Sequence, residues 1–139
     1  MVSIPAFASS GSVRNLARKI IILLNEGQFN EAESNFDSTM KKAAPEDNLR
    51  LMWSFLIEQT GPLKEELGDT ILTYKGYTVV TVTCSFTKSD QDIRIVFDNE
   101  NKVAGLFIDP RSESEKLLAE VLDFINSLNV VSTQRTRSH

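Results

Sequence analysis

The sequence predicts an α+β fold in which helices come first, an antiparallel meander follows, and one further helix closes the chain. Three observations carry that reading. Before Pro62 the apolar residues recur at spacings of three and four, the period of a helix face. From Tyr77 to Ile108 they fall into three runs joined by polar turns and alternate along each run, the period of a strand. The last run is apolar on both faces, so the sheet needs a cover on each side. A chain of 139 residues can build one sizeable core and not two. A single domain is therefore expected over 12–129, with disordered ends at 1–11 and 130–139.

Ser12 is placed to cap the first helix, whose Val13, Leu16, Ala17, Ile20 and Leu24 share one face. Ile21, Ile22 and Leu23 widen that face until little is left for water. Gly27 suits the left-handed residue that ends a helix. Between Gln28 and Lys42 the apolar residues Phe29, Ala32, Phe36 and Met40 keep helical spacing, which predicts a short helix or a broken pair of turns. Pro45, Glu46 and Asp47 open a third helix, because proline fits a first turn and acids favour the positive end of the helix dipole. Its stripe is Leu49, Met52, Trp53 and Leu56, broadened by Phe55 and Ile57, and Gly61 with Pro62 stops it.

Leu63 to Tyr74 reads as a strand with a charged start, Lys64, Glu65 and Glu66. In the strand from Tyr77, Val80, Val82, Cys84 and Phe86 share one face and Val79, Thr81, Thr83 and Ser85 the other, the first being the core face. Ile93, Ile95 and Phe97 alternate with Arg94 and Val96. The closing run places Val103, Gly105 and Phe107 on one face and Ala104, Leu106 and Ile108 on the other. Past Pro110, Ser112 and Glu115 have capping-box spacing, and Leu117, Leu118, Val121, Leu122, Ile125 and Leu128 give the last helix an apolar stripe. That amphipathic C-terminal helix must lie on the second face of the sheet or meet a partner chain.

Composition narrows the chemistry. The net charge of −4 argues against nucleic acid as a partner, since such binding rests on neutralising phosphates with Lys and Arg. Only the tail with Arg135 and Arg137 is basic. The one histidine is the final residue, His139, and the one cysteine, Cys84, sits on a core-facing strand position. No metal site, no cofactor motif and no nucleophile–base pair can be assembled from them. No signal segment is evident and no run reaches the roughly 18 apolar residues that mark a membrane span, so no membrane partner is expected and the cytoplasm is the expected location.

Gly27, Gln28, Phe29, Asn30, Glu31 and Ala32, then Phe36, Asp37, Met40, Lys41, Pro45, Glu46, Leu49, Trp53 and Gly61, form a pattern that resembles the opening of the family known as domain of unknown function 3887. The run from Val96 to Ile108, with Asn101, Lys102, Gly105 and Phe107, resembles its closing strand pair, and together the matches cover most of 14–110. The resemblance implies a nuclear transport factor 2-like, or cystatin-like, cone, with N-terminal helices packed in the concave face of a curved antiparallel sheet. It also implies a homodimer formed through the convex face, from which the extra helix after Pro110 departs.

Enzymes of that wider superfamily pair an acid or base at the mouth of the cone with a tyrosine. Candidates here are Asp37, Asp69 and Glu58 as acids and Tyr74 or Tyr77 as donors. None falls in a motif that matches a catalytic member, and Asp37 reads as a capping residue and Glu58 as a solvated helix position. The preferred expectation is a non-catalytic binding module, homodimeric, holding a small apolar molecule in the cone near Phe36, Trp53, Tyr74, Phe86 and Phe107. The alternatives are a small lyase or isomerase using a buried carboxylate and a tyrosine, and an accessory partner acting in trans on a hydrolase, the latter implied by the fusion habit of the family.

Overall fold

The computed structural model describes residues 5–111 and 118–128. Four helices, α1 (Pro5–Asn25), α2 (Phe29–Glu33), α3 (Ser38–Ala43) and α4 (Glu46–Thr60), precede four strands, β1 (Leu63–Tyr74), β2 (Tyr77–Phe86), β3 (Asp90–Phe97) and β4 (Val103–Pro110). Residues 118–128, here α5, are helical as well. The strands form one antiparallel sheet in the order β1-β2-β3-β4. The α+β class with helices ahead of an antiparallel meander therefore stands. Ser112, Glu115 and Leu117, together with the tail bearing Arg135, Arg137 and His139, lie outside the described residues.

α1 is already helical at Pro5 and runs through Ser12, the residue expected to cap it. Val13, Ala17, Ile20, Ile21, Leu23 and Leu24 are buried, as the wide apolar face requires, while Ile22 is half exposed. The segment between Gln28 and Lys42 is the broken pair of helices α2 and α3. α4 follows Pro45 with Glu46 and Asp47 in its first turn. It buries Leu49, Trp53 and Thr60, but Phe55, expected to broaden the stripe, is 63% exposed. Leu49, Trp53 and Thr60 follow the helical period of 3.6, and Phe55 falls two residues past Trp53, on the far side of that line.

Gly61 ends α4 with φ at 78°, and a Cβ there would stand 2.8 Å from Thr87 Cβ. The close approach is part of a junction in which Thr87 N donates to Pro62 O at 3.0 Å and Lys88 N to Thr60 O at 2.7 Å. The β2–β3 turn is thus clamped to the end of α4.

The core lies between the helices and one face of the sheet. Val80, Val82, Cys84 and Phe86 of β2 join Ile93, Ile95 and Phe97 of β3 and pack with α1, α2 and α4. The opposite face carries a smaller cluster, Val79 and Val96 packed with Val121 and Ile125 of α5. In the described chain, then, α5 is the second cover. One assignment changes on β4. A register shift between Val96 and Phe97 sends Val103 into the main core with Leu106 and Ile108, while Phe107 and Ala104 join the α5 side. A bulge inserts one residue and resets the alternation, so Val103 and Phe107 do not share a face.

Candidate functional site

The five aromatic residues expected to line one ligand pocket are divided by the sheet. Phe36, Trp53 and Phe86 belong to the main core, 2%, 4% and 2% exposed, and the Trp53 and Phe86 rings meet at 6.1 Å with a tilt of 57°. Tyr74 and Phe107 lie on the other face, against the α5 cluster. The interior between helices and sheet is occupied by side chains of α1, α2, α4, β2 and β3, which leaves the three core aromatics as packing residues.

The acids have separate tasks. Asp37 caps α3, its Oδ1 accepting from Met40 N at 2.7 Å, the ordinary use of an N-cap carboxylate. Asp69 projects from β1 toward α1, where Arg14 approaches it at 2.9 Å and Arg18 at 2.5 Å, and its side chain is 2% exposed. Arg18 also reaches Glu66 at 3.4 Å. Two guanidinium groups hold that carboxylate as a structural anchor of α1 on the sheet. Glu58 is exposed on α4. Tyr74 donates its hydroxyl to Asn126 Oδ1 at 3.2 Å, and Lys75 Nζ donates to the same oxygen at 2.7 Å; both tie the β1–β2 turn to α5.

A buried polar group on the α5 side escaped the sequence reading. Asp92 is 4% and Arg94 3% exposed. Thr83 Oγ1 donates to Asp92 Oδ1 at 2.6 Å, Arg94 Nη1 donates to Asp109 Oδ2 at 3.2 Å, and Arg94 Nη2 stands 3.9 Å from Asp92 Oδ2. The sequence signal was Asp92 and Arg94 sharing one face of a strand otherwise filled with Ile, Val and Phe. Burial raises the pKa of Asp109 above its ordinary value, and the opposing pull of Arg94 does not cancel that cost. Cys84 is fully buried, and burial first, then the negative charges of Glu66 and Asp92, pushes its thiol up to about 12. A thiol that far from ionising is no nucleophile.

An open concavity lies at the β4 edge. A cleft of about 570 Å³ runs between α3, β4 and α5, with an apolar wall of Met40, Ala104, Leu106, Phe107, Phe124 and Leu128. Asp37, Thr39, Tyr77 and Ser127 supply its polar atoms. Beside the cleft α5 comes close to β4 at Gly105, where a Cβ would stand 3.0 Å from Phe124 and 3.1 Å from Phe107. Phe107 and Phe124 meet edge to face at 5.4 Å and form its floor. Of the residues singled out from the sequence, Phe107, Asp37 and Tyr77 reach this cleft, and Phe36, Trp53, Tyr74, Phe86, Asp69 and Glu58 do not line it. Among the described residues no cluster of His, Cys, Asp and Glu could hold a metal ion, and no helix is long and apolar enough to cross a membrane.

A family model described as "Protein of unknown function (DUF3887)" matches residues 17–106. The match runs from α1 into β4 and stops short of α5. No curated protein and no solved structure matches the chain.

Proposed function

The chain belongs to the DUF3887 family, whose description assigns no activity, and from the geometry of the cleft we propose that it is a non-catalytic binding module for a small apolar molecule. The observation that carries this reading is the contrast between a filled interior and an open cleft. The volume of about 570 Å³ falls in the range of small-molecule sites, which are mostly apolar with a few placed polar groups. The lining fits that description, with Met40, Leu106, Phe107, Phe124 and Leu128 for contact and Tyr77, Thr39 and Ser127 to orient one polar end. The ligand site moves with this reading from the concave interior to the β4 edge. The wider fold is read as a nuclear transport factor 2-like cone, on the strength of α1, α2 and α4 packing on one face of the meander.

Native mass spectrometry of the purified chain, followed by titration with the apolar dye Nile red, tests the reading. Saturable dye binding should disappear in Ala43→Trp, whose exposed position on α3 lines the cleft and can take a large side chain without disturbing the core. Absence of saturable binding by the native chain, or binding that Ala43→Trp leaves intact, overturns it. A second reading, a small lyase or isomerase, has one observation in its favour: Asp37 and Tyr77 line the same cleft. Asn is as good an N-cap as Asp, so Asp37→Asn removes a general base and keeps α3 capped. Turnover of a co-purified molecule that is lost in Asp37→Asn favours the enzyme; binding without turnover in both chains favours the module.

A further inference from the structure

The two edges of the sheet are protected differently. At the start of β4, Val103 N donates to Asn35 O at 2.8 Å and Asp37 N donates to Val103 O at 2.9 Å, so residues 35–37 occupy that edge. β1, the other edge, is twelve residues long and divides in two. Its first half carries Lys64, Glu65 and Glu66 and register shifts at Leu63/Glu65 and Glu66/Gly68. Charges and bulges of this kind keep other strands from adding to an edge. From Gly68 to Tyr74 the ladder to β2 is unbroken, and Thr70, Ile71, Leu72, Thr73 and Tyr74 have neither charge nor proline. Thr70, Leu72 and Thr73 are exposed, and among the described residues β2 is the only strand beside them.

We propose that this neutral half of β1 pairs antiparallel with the same segment of a second copy, about a two-fold axis at Leu72, to make one continuous eight-stranded sheet. The pattern of β1 selects both the occupant and the register. Antiparallel pairing about Leu72 sets Thr70 against Tyr74 and Ile71 against Thr73 of the other copy, and carries each bulged, charged half past the other copy's β1–β2 turn. A register centred between Asp69 and Thr70 instead opposes Lys64 to Lys75 and forces the bulges into the new ladder; like charges directly opposite are destabilising. A two-fold interface must be self-complementary, and residues facing each other across an antiparallel pair come within contact of their Cβ atoms. Leu72 meets that demand. It pairs with Val79 in the β1–β2 ladder and is 40% exposed, so the α5-side apolar cluster runs out to the edge and stops at a half-bare leucine. Its own symmetry mate would complete the cover.

Light scattering coupled to size exclusion, with two cysteine variants, tests the arrangement. The native chain is expected at twice its 15.6 kDa mass, and Leu72→Lys at half the native value with an unchanged circular dichroism spectrum. Under mild oxidation Leu72→Cys should form a covalent dimer, and Leu67→Cys, slightly more exposed on the bulged half, should not. Cys84 is buried and does not confuse the readout. A monomeric native chain, a dimer indifferent to Leu72→Lys, or cross-linking at position 67 without position 72 overturns the proposal. None of these outcomes bears on the cleft, which lies at the opposite edge of the sheet.

Discussion

Toward α1 and α4 the sheet presents Val80, Val82, Cys84, Phe86, Ile93, Ile95 and Phe97, all apolar and all buried. Toward α5 it presents Val79 and Val96 at one end and the Thr83, Asp92, Arg94 and Asp109 group at the other. The first face is stabilised by transfer of apolar surface out of water, a term that needs no particular partner. The second face depends on specific pairings, because a charged group taken from water is costly unless its partners are in place. The cleft opens at the β4 edge where the two sides meet, Met40 and Leu106 coming from the first and Ala104, Phe107 and Phe124 from the second.

The largest effect expected from breaking this contrast is on the apolar side. Trp53→Ala should cost about 4 kcal/mol in urea unfolding, as large-to-small changes in a closed core do. Ile125→Ala, on α5, should cost about 2 kcal/mol, the low end for such a change, because the partly buried Phe124, Phe107 and Tyr77 around it can close in. Equal costs at the two positions would erase the distinction between the faces. Arg94→Met should cost about 3 kcal/mol, since it removes the guanidinium between the buried Asp92 and the partly buried Asp109; a variant as stable as the native chain would make the second face apolar in all but name.

Smaller effects sharpen the contrast. Asp37→Ala should cost about 1 kcal/mol through the lost cap of α3, read as a lowered melting temperature. Asp109 gives a signature in pH. Its carboxyl holds a proton more tightly folded than unfolded, so its contribution to stability is complete below its ordinary value of 3.8 and is lost as pH rises through the raised folded value. The stability of the native chain relative to Asp109→Asn should therefore fall as pH is raised from the acid side toward neutral. A difference that grows instead would mean that Arg94 dominates the site.

The fold was legible where one pattern filled an element. Alternation in β2 and β3 placed the buried main-core residues of those two strands, and Pro45 and Gly61 marked both ends of α4. It was not legible where two patterns competed. Gly105 is the residue type that marks a bulge or a close helix approach inside a strand, but it does not fix where the alternation resets, and the bulge sends Val103 and Phe107 to opposite faces; the five aromatics are divided accordingly, Phe36, Trp53 and Phe86 within the main core and Tyr74 and Phe107 on the other face. Phe55 was assigned to the core because it is apolar, although its phase on α4 points it away. The cleft could not be seen at all from sequence, because it depends on how far α5 stands from the sheet at Gly105, a distance set by packing and not by the local chain.

The bridge between Phe36 and Val103 also bears on how the chain reaches its native state. The meander is made of neighbouring hairpins, each closed by a short turn, and such local contacts form early and fast. The bridge joins positions separated by nearly half the chain, so the entropy of closing that long loop must be met before it can form. A sheet assembled without it leaves the start of β4 bare to any other extended segment in solution. On that order the interval between strand assembly and arrival of residues 35–37 is expected to be the aggregation-sensitive stage of folding, and pulse labelling of the Val103 amide proton, held in the native Val103 N to Asn35 O hydrogen bond, checks it: protection gained together with the meander overturns the order.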